Sequence, residues 1–330
     1  MDATRELRRL INGYPITQAV HVAAVLGISD LLAGSPRSVT ELAAQTDSHP
    51  ESLARLLRAL VACGLYRVED DGRYANTELG DALRSDAPDS PAGWAAFVGR
   101  PYYWQAWSSL LHSVRTGENA FRHVHGDGVW AYRESHPEEQ AAFDRAMTTM
   151  SQGVAQAVAE AFDFGRYRTV VDVGGGHGAL LSAVLTRHPE VRGVLVDQPA
   201  VVAAADLTPD IASRCETVGA DFFAAVPPGG DVYLLKAVIH DWPDAESVQI
   251  LSNVREVLPD SGAVVLVEQL LDEGPDPVRT AFSDLNMLVA PGGRERTRQE
   301  YAALFERAGL TLQDVIPTAT DAFLLVAARV

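Results

Sequence analysis

The chain has 330 residues, 47% of them hydrophobic, and a formal charge of −17. That apolar content can bury a full core over two domains, which excludes a disordered chain, and the negative charge opposes both phosphate-backbone binding and anionic membranes. Two cysteines, Cys63 and Cys215, exclude a disulfide framework. The start, Met1 to Arg8, lacks the basic head and apolar core of a signal peptide, and no apolar run reaches the ~20 residues of a membrane span, so a soluble cytoplasmic protein is expected.

Residues 1–165 read as mainly helical, with apolar positions at helical spacing in Leu53 to Leu60 and from Trp104 to Val114. Ser38-Val-Thr-Glu41 predicts a capped helix, and Asp47-Ser-His-Pro50 introduces a second that ends at Gly64. Leu65 to Ala75 then alternates around Asp71-Gly72 like a small hairpin. Two helices and a hairpin are the layout of a winged helix. A helix bearing only Arg55 and Arg58, on so acidic a chain, points to packing or dimerisation rather than to DNA.

Residues 94–150 carry Trp94, Phe97, Tyr102, Tyr103, Trp104, Trp107, Phe121, Trp130 and Phe143, which suit either a helical core or the wall of an apolar pocket. His123-x-His125-x-Asp127 has ligand types but no cysteine partners and a glycine-rich setting, so no metal site is expected.

From Arg168 strands alternate with helices, which places a boundary near Phe164-Gly-Arg-Tyr167 and predicts a helical domain, 1–165, followed by a parallel α/β domain, 166–330. Thr169-Val-Val-Asp172-Val-Gly174-Gly-Gly-His-Gly178-Ala179 is a strand, a glycine loop and a helix start, where a ligand can approach the backbone and meet unpaired N–H groups. The next strand, Gly193 to Asp197, ends in a carboxylate placed to accept from both hydroxyls of a ribose. NAD and S-adenosylmethionine both offer that ribose. Asp172, two residues before the glycines, is a poor neighbour for a pyrophosphate but suits an ammonium group, which favours the aminoacyl sulfonium. A third strand, Cys215 to Val218, leads into Gly219-Ala-Asp221-Phe222, where the acid and ring suit an adenine or, equally, a loop before a core phenylalanine. In Lys236-Ala-Val-Ile-His240-Asp241-Trp242 an apolar run reads as a buried strand with His240 at its carboxyl end, the position of a proton acceptor facing a ligand crevice.

With these motifs the chain resembles the small-molecule S-adenosylmethionine-dependent O-methyltransferases of the caffeate and bacterial polyketide-tailoring type. The resemblance rests on Val171 to Gly178, the Asp197 strand end, Gly219 to Phe222, Lys236 to Trp242, Asp284-Leu-Asn-Met-Leu288 and Gly292-Gly-Arg-Glu-Arg-Thr297, and it covers nearly the whole chain. It implies a Rossmann-like class I methyltransferase sheet preceded by a mainly helical winged-helix domain that dimerises and helps close the pocket. It also implies S-adenosylmethionine contacts at Gly174, Asp197, Asp221, Phe222 and Lys236, a base at His240, and flanking acids at Glu268 and Glu295.

Ser151, at the end of the linking helix, is a further cofactor candidate. Trp104, Phe143, Met147, Phe282, Met287 and Asp241 are candidates for the acceptor, although apolar faces also suit plain core packing. The expected protein is thus a homodimeric O-methyltransferase of an aromatic or polyketide-like metabolite, using no metal and binding neither nucleic acid nor membrane. Three other readings compete with it: an S-adenosylmethionine-binding relative with non-methylating chemistry, a NAD-linked oxidoreductase, and a winged-helix regulator that senses a small molecule.

Overall fold

The computed structural model describes residues 2–88, 90–205 and 207–330. The chain divides into two compact units, Met1–Trp104 with Pro137–Met150, and Gln105–His136 with Ser151–Val330. The helix Pro137–Ala161 contributes to both.

In the first unit, local signals set the ends of the elements. Ser38 Oγ accepts from the Glu41 amide at 3.2 Å and Glu41 Oε2 accepts from the Ser38 amide at 2.7 Å, a capping box at the start of the helix Val39–Gln45. Pro50 opens the helix Pro50–Ala62, which buries Leu53, Leu57 and Leu60 and leaves Arg55 and Arg58 exposed. Gly64 follows with a φ of 82°, a conformation that strains any side chain. Strands β1 (Tyr66–Val68) and β2 (Tyr74–Asn76) then pair antiparallel, giving the two helices and hairpin expected from Ser38 to Ala75. Leu42, Leu53, Leu57, Leu60 and Tyr66 share one core with Ala23 and Ile28. Leu7, Leu10, Ile11 and Tyr14, on the helices Ala3–Ile11 and Gly13–Val25, stay exposed.

The second unit is built on a seven-stranded sheet made of β3 (Thr169–Val173), β4 (Arg192–Asp197), β5 (Cys215–Gly219), β6 (Val232–Lys236), β7 (Ala263–Glu268), β8 (Leu310–Pro317) and β9 (Phe323–Arg329). Their spatial order is β5-β4-β3-β6-β7-β9-β8, and β9 alone runs against the rest. Both faces are covered, so the central strands read as continuous apolar runs. On one face Val171, Tyr233, Leu235, Val264 and Leu266 pack with Ile250, Val254, Tyr301 and Phe305; on the other Val170, Leu195, Leu234 and Val265 pack with Leu181, Leu185 and Val158. The strand order reverses between β3 and β6, which opens a crevice beyond their carboxyl ends, where ligands bind in open α/β sheets.

One expectation is corrected. β6 ends at Lys236, because Ala237 takes a φ of +52° and Ile239–Asp241 form a 3-10 turn, so His240 stands on a turn beyond the strand rather than at its end. No helix among the described residues is long and apolar enough to cross a membrane.

Leu266 is fully buried on β7 between β6 and β9. Replacing it with alanine is expected to cost about 2–5 kcal/mol in denaturant unfolding; a loss under about 1 kcal/mol would contradict its place in the close-packed layer.

Candidate active site

The crevice begins at the glycine loop. Gly174 and Gly176 have φ of 70° and 59°, and a Cβ on Gly174 would stand 2.8 Å from Val238 Cγ2 and 3.7 Å from Phe222 Cε1, so only glycine leaves this cradle open. Asp197, ending β4, accepts from the Gly176 amide through Oδ2 at 2.8 Å and from the Gln198 amide through Oδ1 at 2.7 Å. Burial raises its pKa against the pull of those amides. Asp172 is 1% exposed and neither carboxylate oxygen has a hydrogen-bond partner of normal geometry. Burial therefore pushes its pKa up to about 7, although the Lys236 ammonium pulls it down. A buried, unpaired carboxylate beside a glycine cradle fits a cationic ligand.

Asp221 is exposed and its Oδ1 accepts from the Phe223 amide at 2.9 Å, while the Phe222 ring meets Phe223 and Trp242 at 5.0 and 6.2 Å. Lys236 ends β6, and burial lowers its pKa against the charges of Asp172, Glu268 and Asp241. It thus lies electrostatically between the glycine loop and the second cluster.

That second cluster is the imidazole of His240 and its acids. Nδ1 lies 3.1 Å from Glu295 Oε1 and 3.4 Å from Glu268 Oε2, and both carboxylates are buried. Nε2 is 3.7 Å from Asp241 Oδ1, beyond hydrogen-bond reach. With the Nδ1 proton given to Glu295, the neutral ring keeps its lone pair on Nε2. Each acid is also held: the Ile239 amide donates to Glu268 Oε1 at 3.0 Å, and Ser283 Oγ donates to Glu295 Oε1 at 2.7 Å. Asp284 Oδ1 in turn accepts from the Glu295 amide at 3.0 Å.

These groups set one another's protonation. Burial alone would lower the His240 pKa, but Glu295 and Glu268 overcome it and raise the value to about 10. Burial raises Glu268 to about 7 against the pull of His240, and raises Asp241 to about 6 against His240 and the buried Arg133. Glu295 goes the other way, because His240 and the Ser283 hydroxyl outweigh its burial. Among the described residues, His240, Glu268 and Glu295 are the one group of His, Cys, Asp and Glu with three donor atoms within 4.8 Å of one another; His123 instead stacks on His112 at 3.7 Å.

The remaining candidates scatter. Met287 is buried on the helix Pro277–Val289 one turn after Ser283, whereas Phe282 is 60% exposed. Ser151 is half-buried in the second unit; Trp104, Phe143 and Met147 are half-buried in the first, where Phe143 meets Phe97 at 5.6 Å. Phe97, Tyr102 and Tyr103 are core. Ser283, Arg296, Ser247 and Arg133 escape a reading of the sequence alone. Two signals were available for them: Ser283 stands four residues before Met287, on the same helix face, and Arg296 is the neighbour of Glu295.

Comparison with known proteins identifies the family. Residues 107–311 match the O-methyltransferase domain family and residues 8–86 the O-methyltransferase dimerisation domain. The chain is 42% identical to the phenazine O-methyltransferase PhzM of Lysobacter antibioticus, covering 95% of this chain and 93% of that relative. It is 39% identical to the mitomycin biosynthesis 6-O-methyltransferase of Streptomyces lavendulae, covering 96% and 91%. Among solved structures, the O-methyltransferase NcsB1 from neocarzinostatin biosynthesis, in complex with S-adenosylmethionine and 2-hydroxy-5-methyl naphthoic acid, superposes with a TM-score of 0.83 at 32% identity over 96% of both chains. The chain therefore belongs to the S-adenosylmethionine-dependent O-methyltransferases of bacterial secondary metabolism.

Proposed function

We propose that this enzyme methylates a hydroxyl of an aromatic or polyketide-like metabolite as a homodimer, with His240 as the general base. The observation that carries the reading is an imidazole whose Nδ1 is held by Glu295 and Glu268 while Nε2 is left for a reacting group. S-adenosylmethionine supplies the electrophilic methyl carbon. The Asp172 charge suits its ammonium group, Asp197 its ribose, and Asp221 with Phe222 its adenine; Gly174, Lys236 and Ser151 complete the proposed set. On the acceptor side we place Asp241 and Met287, and, from the chemistry of their side chains, Trp104, Phe143 and Met147. The exposed Leu7, Leu10, Ile11 and Tyr14, in or beside the segment that matches the dimerisation domain, support the homodimer.

The acids give the base its strength. A phenol has a pKa of about 10, and Glu295 and Glu268 raise His240 to about 10, so transfer of the phenolic proton to Nε2 is nearly balanced. At neutral pH the resting imidazole already holds a proton, and productive binding of a phenol then releases one proton to solvent. Changing His240 to alanine is expected to cut S-adenosylhomocysteine production with the true acceptor roughly 10²- to 10⁴-fold while leaving cofactor affinity unchanged. Undiminished turnover would sink the base assignment.

The sign of the pH dependence follows from the raised His240 value. Activity grows as the imidazole loses its proton, so log(kcat/KM) should climb through the alkaline range rather than level near the ordinary histidine value. Glu295→Gln removes a charge that raises that value and should move the limb to lower pH; a limb that stays in place would separate Glu295 from the base.

Asp172 tests the cofactor end. Its folded pKa, about 7, lies above the ordinary 3.8, so ionisation destabilises the fold progressively as pH rises between those values. Without cofactor, Asp172→Asn should melt higher than wild type by a margin that widens across that range, and it should bind S-adenosylmethionine more weakly. A variant that melts lower at neutral pH, or binds as tightly, would contradict the assignment.

A further inference from the structure

The segment that carries Glu295 also carries Arg296, a charged side chain only 1% exposed. Its guanidinium is bonded to the carbonyls on either side of His240. Nη1 donates to the Ile239 carbonyl at 3.2 Å and to the Arg294 carbonyl at 3.3 Å; Nη2 donates to the Trp242 carbonyl at 2.9 Å. Asp244 Oδ1 answers the charge, accepting from Nη2 at 2.8 Å and Nε at 3.1 Å. Ser247 Oγ shares its proton between the same two carbonyls, at 3.3 Å from Ile239 and 3.2 Å from Trp242. The Arg294 amide donates to the His240 carbonyl at 2.9 Å.

The approach of the two segments is tight. A Cβ on Gly293 would collide with backbone atoms of His240, Asp241 and Trp242, so the glycine at 293 is what lets one backbone lie on the other. The turn Ile239–Asp241 is a single 3-10 turn, with few bonds of its own to fix the direction of the imidazole. A planar guanidinium fork can hold two carbonyls at once, which a lysine ammonium on a flexible stem does poorly. The counter-charge of Arg296, Asp244, is itself half exposed, so the guanidinium is fixed mainly by the carbonyls it holds.

We propose that Arg296 is a positioning residue for the methyl-transfer reaction: by clamping the Ile239 and Trp242 carbonyls, with Ser247 assisting, it fixes the turn so that His240 Nδ1 stays on Glu295 and Nε2 stays open to the acceptor hydroxyl. This rests on the reading of His240 as the base. It concerns a backbone clamp, and Arg296 itself touches neither acceptor nor cofactor in the reaction.

The test uses Arg296→Lys and the milder Ser247→Ala, each made in the full-length enzyme and again in a His240→Ala background. With the acceptor saturating, kcat should fall about 10- to 10²-fold for Arg296→Lys and less for Ser247→Ala, since a small misplacement of a catalytic group has effects of this size. Cofactor affinity should hold, and the alkaline limb of the pH profile should move toward lower pH as the imidazole slips from Glu295. In the His240→Ala background neither variant should lose more activity. Wild-type kcat and an unmoved limb in a folded variant would overturn the clamp; so would losses that multiply with that of His240→Ala, with the base reading left standing. Full turnover by His240→Ala alone would remove both. If Arg296→Lys does not fold, Ser247→Ala decides by the same criteria.

Discussion

Charge balance around one partly buried imidazole governs this structure. At the separations seen between His240 and its acids, an opposite charge is worth about 5 kcal/mol at the effective dielectric of a protein site, while burying each ion costs several kcal/mol. One acid would not carry the imidazolium. Two acids that were both ionised would leave an excess negative charge. The site settles between these limits: Glu295, held by Ser283 and His240, stays ionised, while burial raises Glu268 to about 7 so that it gives up or takes a proton near neutrality.

That balance depends on register. Lys236 of β6 pairs with Val267 of β7, so Glu268 falls one residue farther along, under the turn whose Ile239 amide it accepts from. Glu295 arrives from a different segment, seated on the backbone of His240 through Gly293 and Arg296. At the glycine loop the bargain differs. Asp172 stays buried with neither oxygen in a well-formed hydrogen bond, so burial raises its pKa against the pull of Lys236 and its ionised form weakens the ligand-free fold.

Much of the architecture was legible from local signals. The capping box at Ser38 and Glu41, the proline at 50 and the apolar runs of β3 and β4 fall where they were expected. The end of β6 did not. An alanine at φ +52° has no propensity that announces it; the surrounding structure imposes it, and the apolar Val238 and Ile239 that follow look like more strand. The aromatics of residues 94–143 were ambiguous for a related reason, since Phe97 and Tyr103 became core while Trp104 and Phe143 stayed half-buried, a difference in neighbours rather than in composition.

The sequence by itself determined the order of elements, the glycine loop, the acid at the end of β4, and the presence of a histidine near the crevice, because periodicity, caps and backbone freedom act over a few residues and leave their mark there. Only the tertiary structure decided which acid holds the imidazole and which shares its proton, and that a buried arginine secures the turn beneath it. Those outcomes come from burial and from Coulomb forces between groups dozens of positions apart, such as Ile239 and Arg296, and no local pattern encodes the distance across which such forces act.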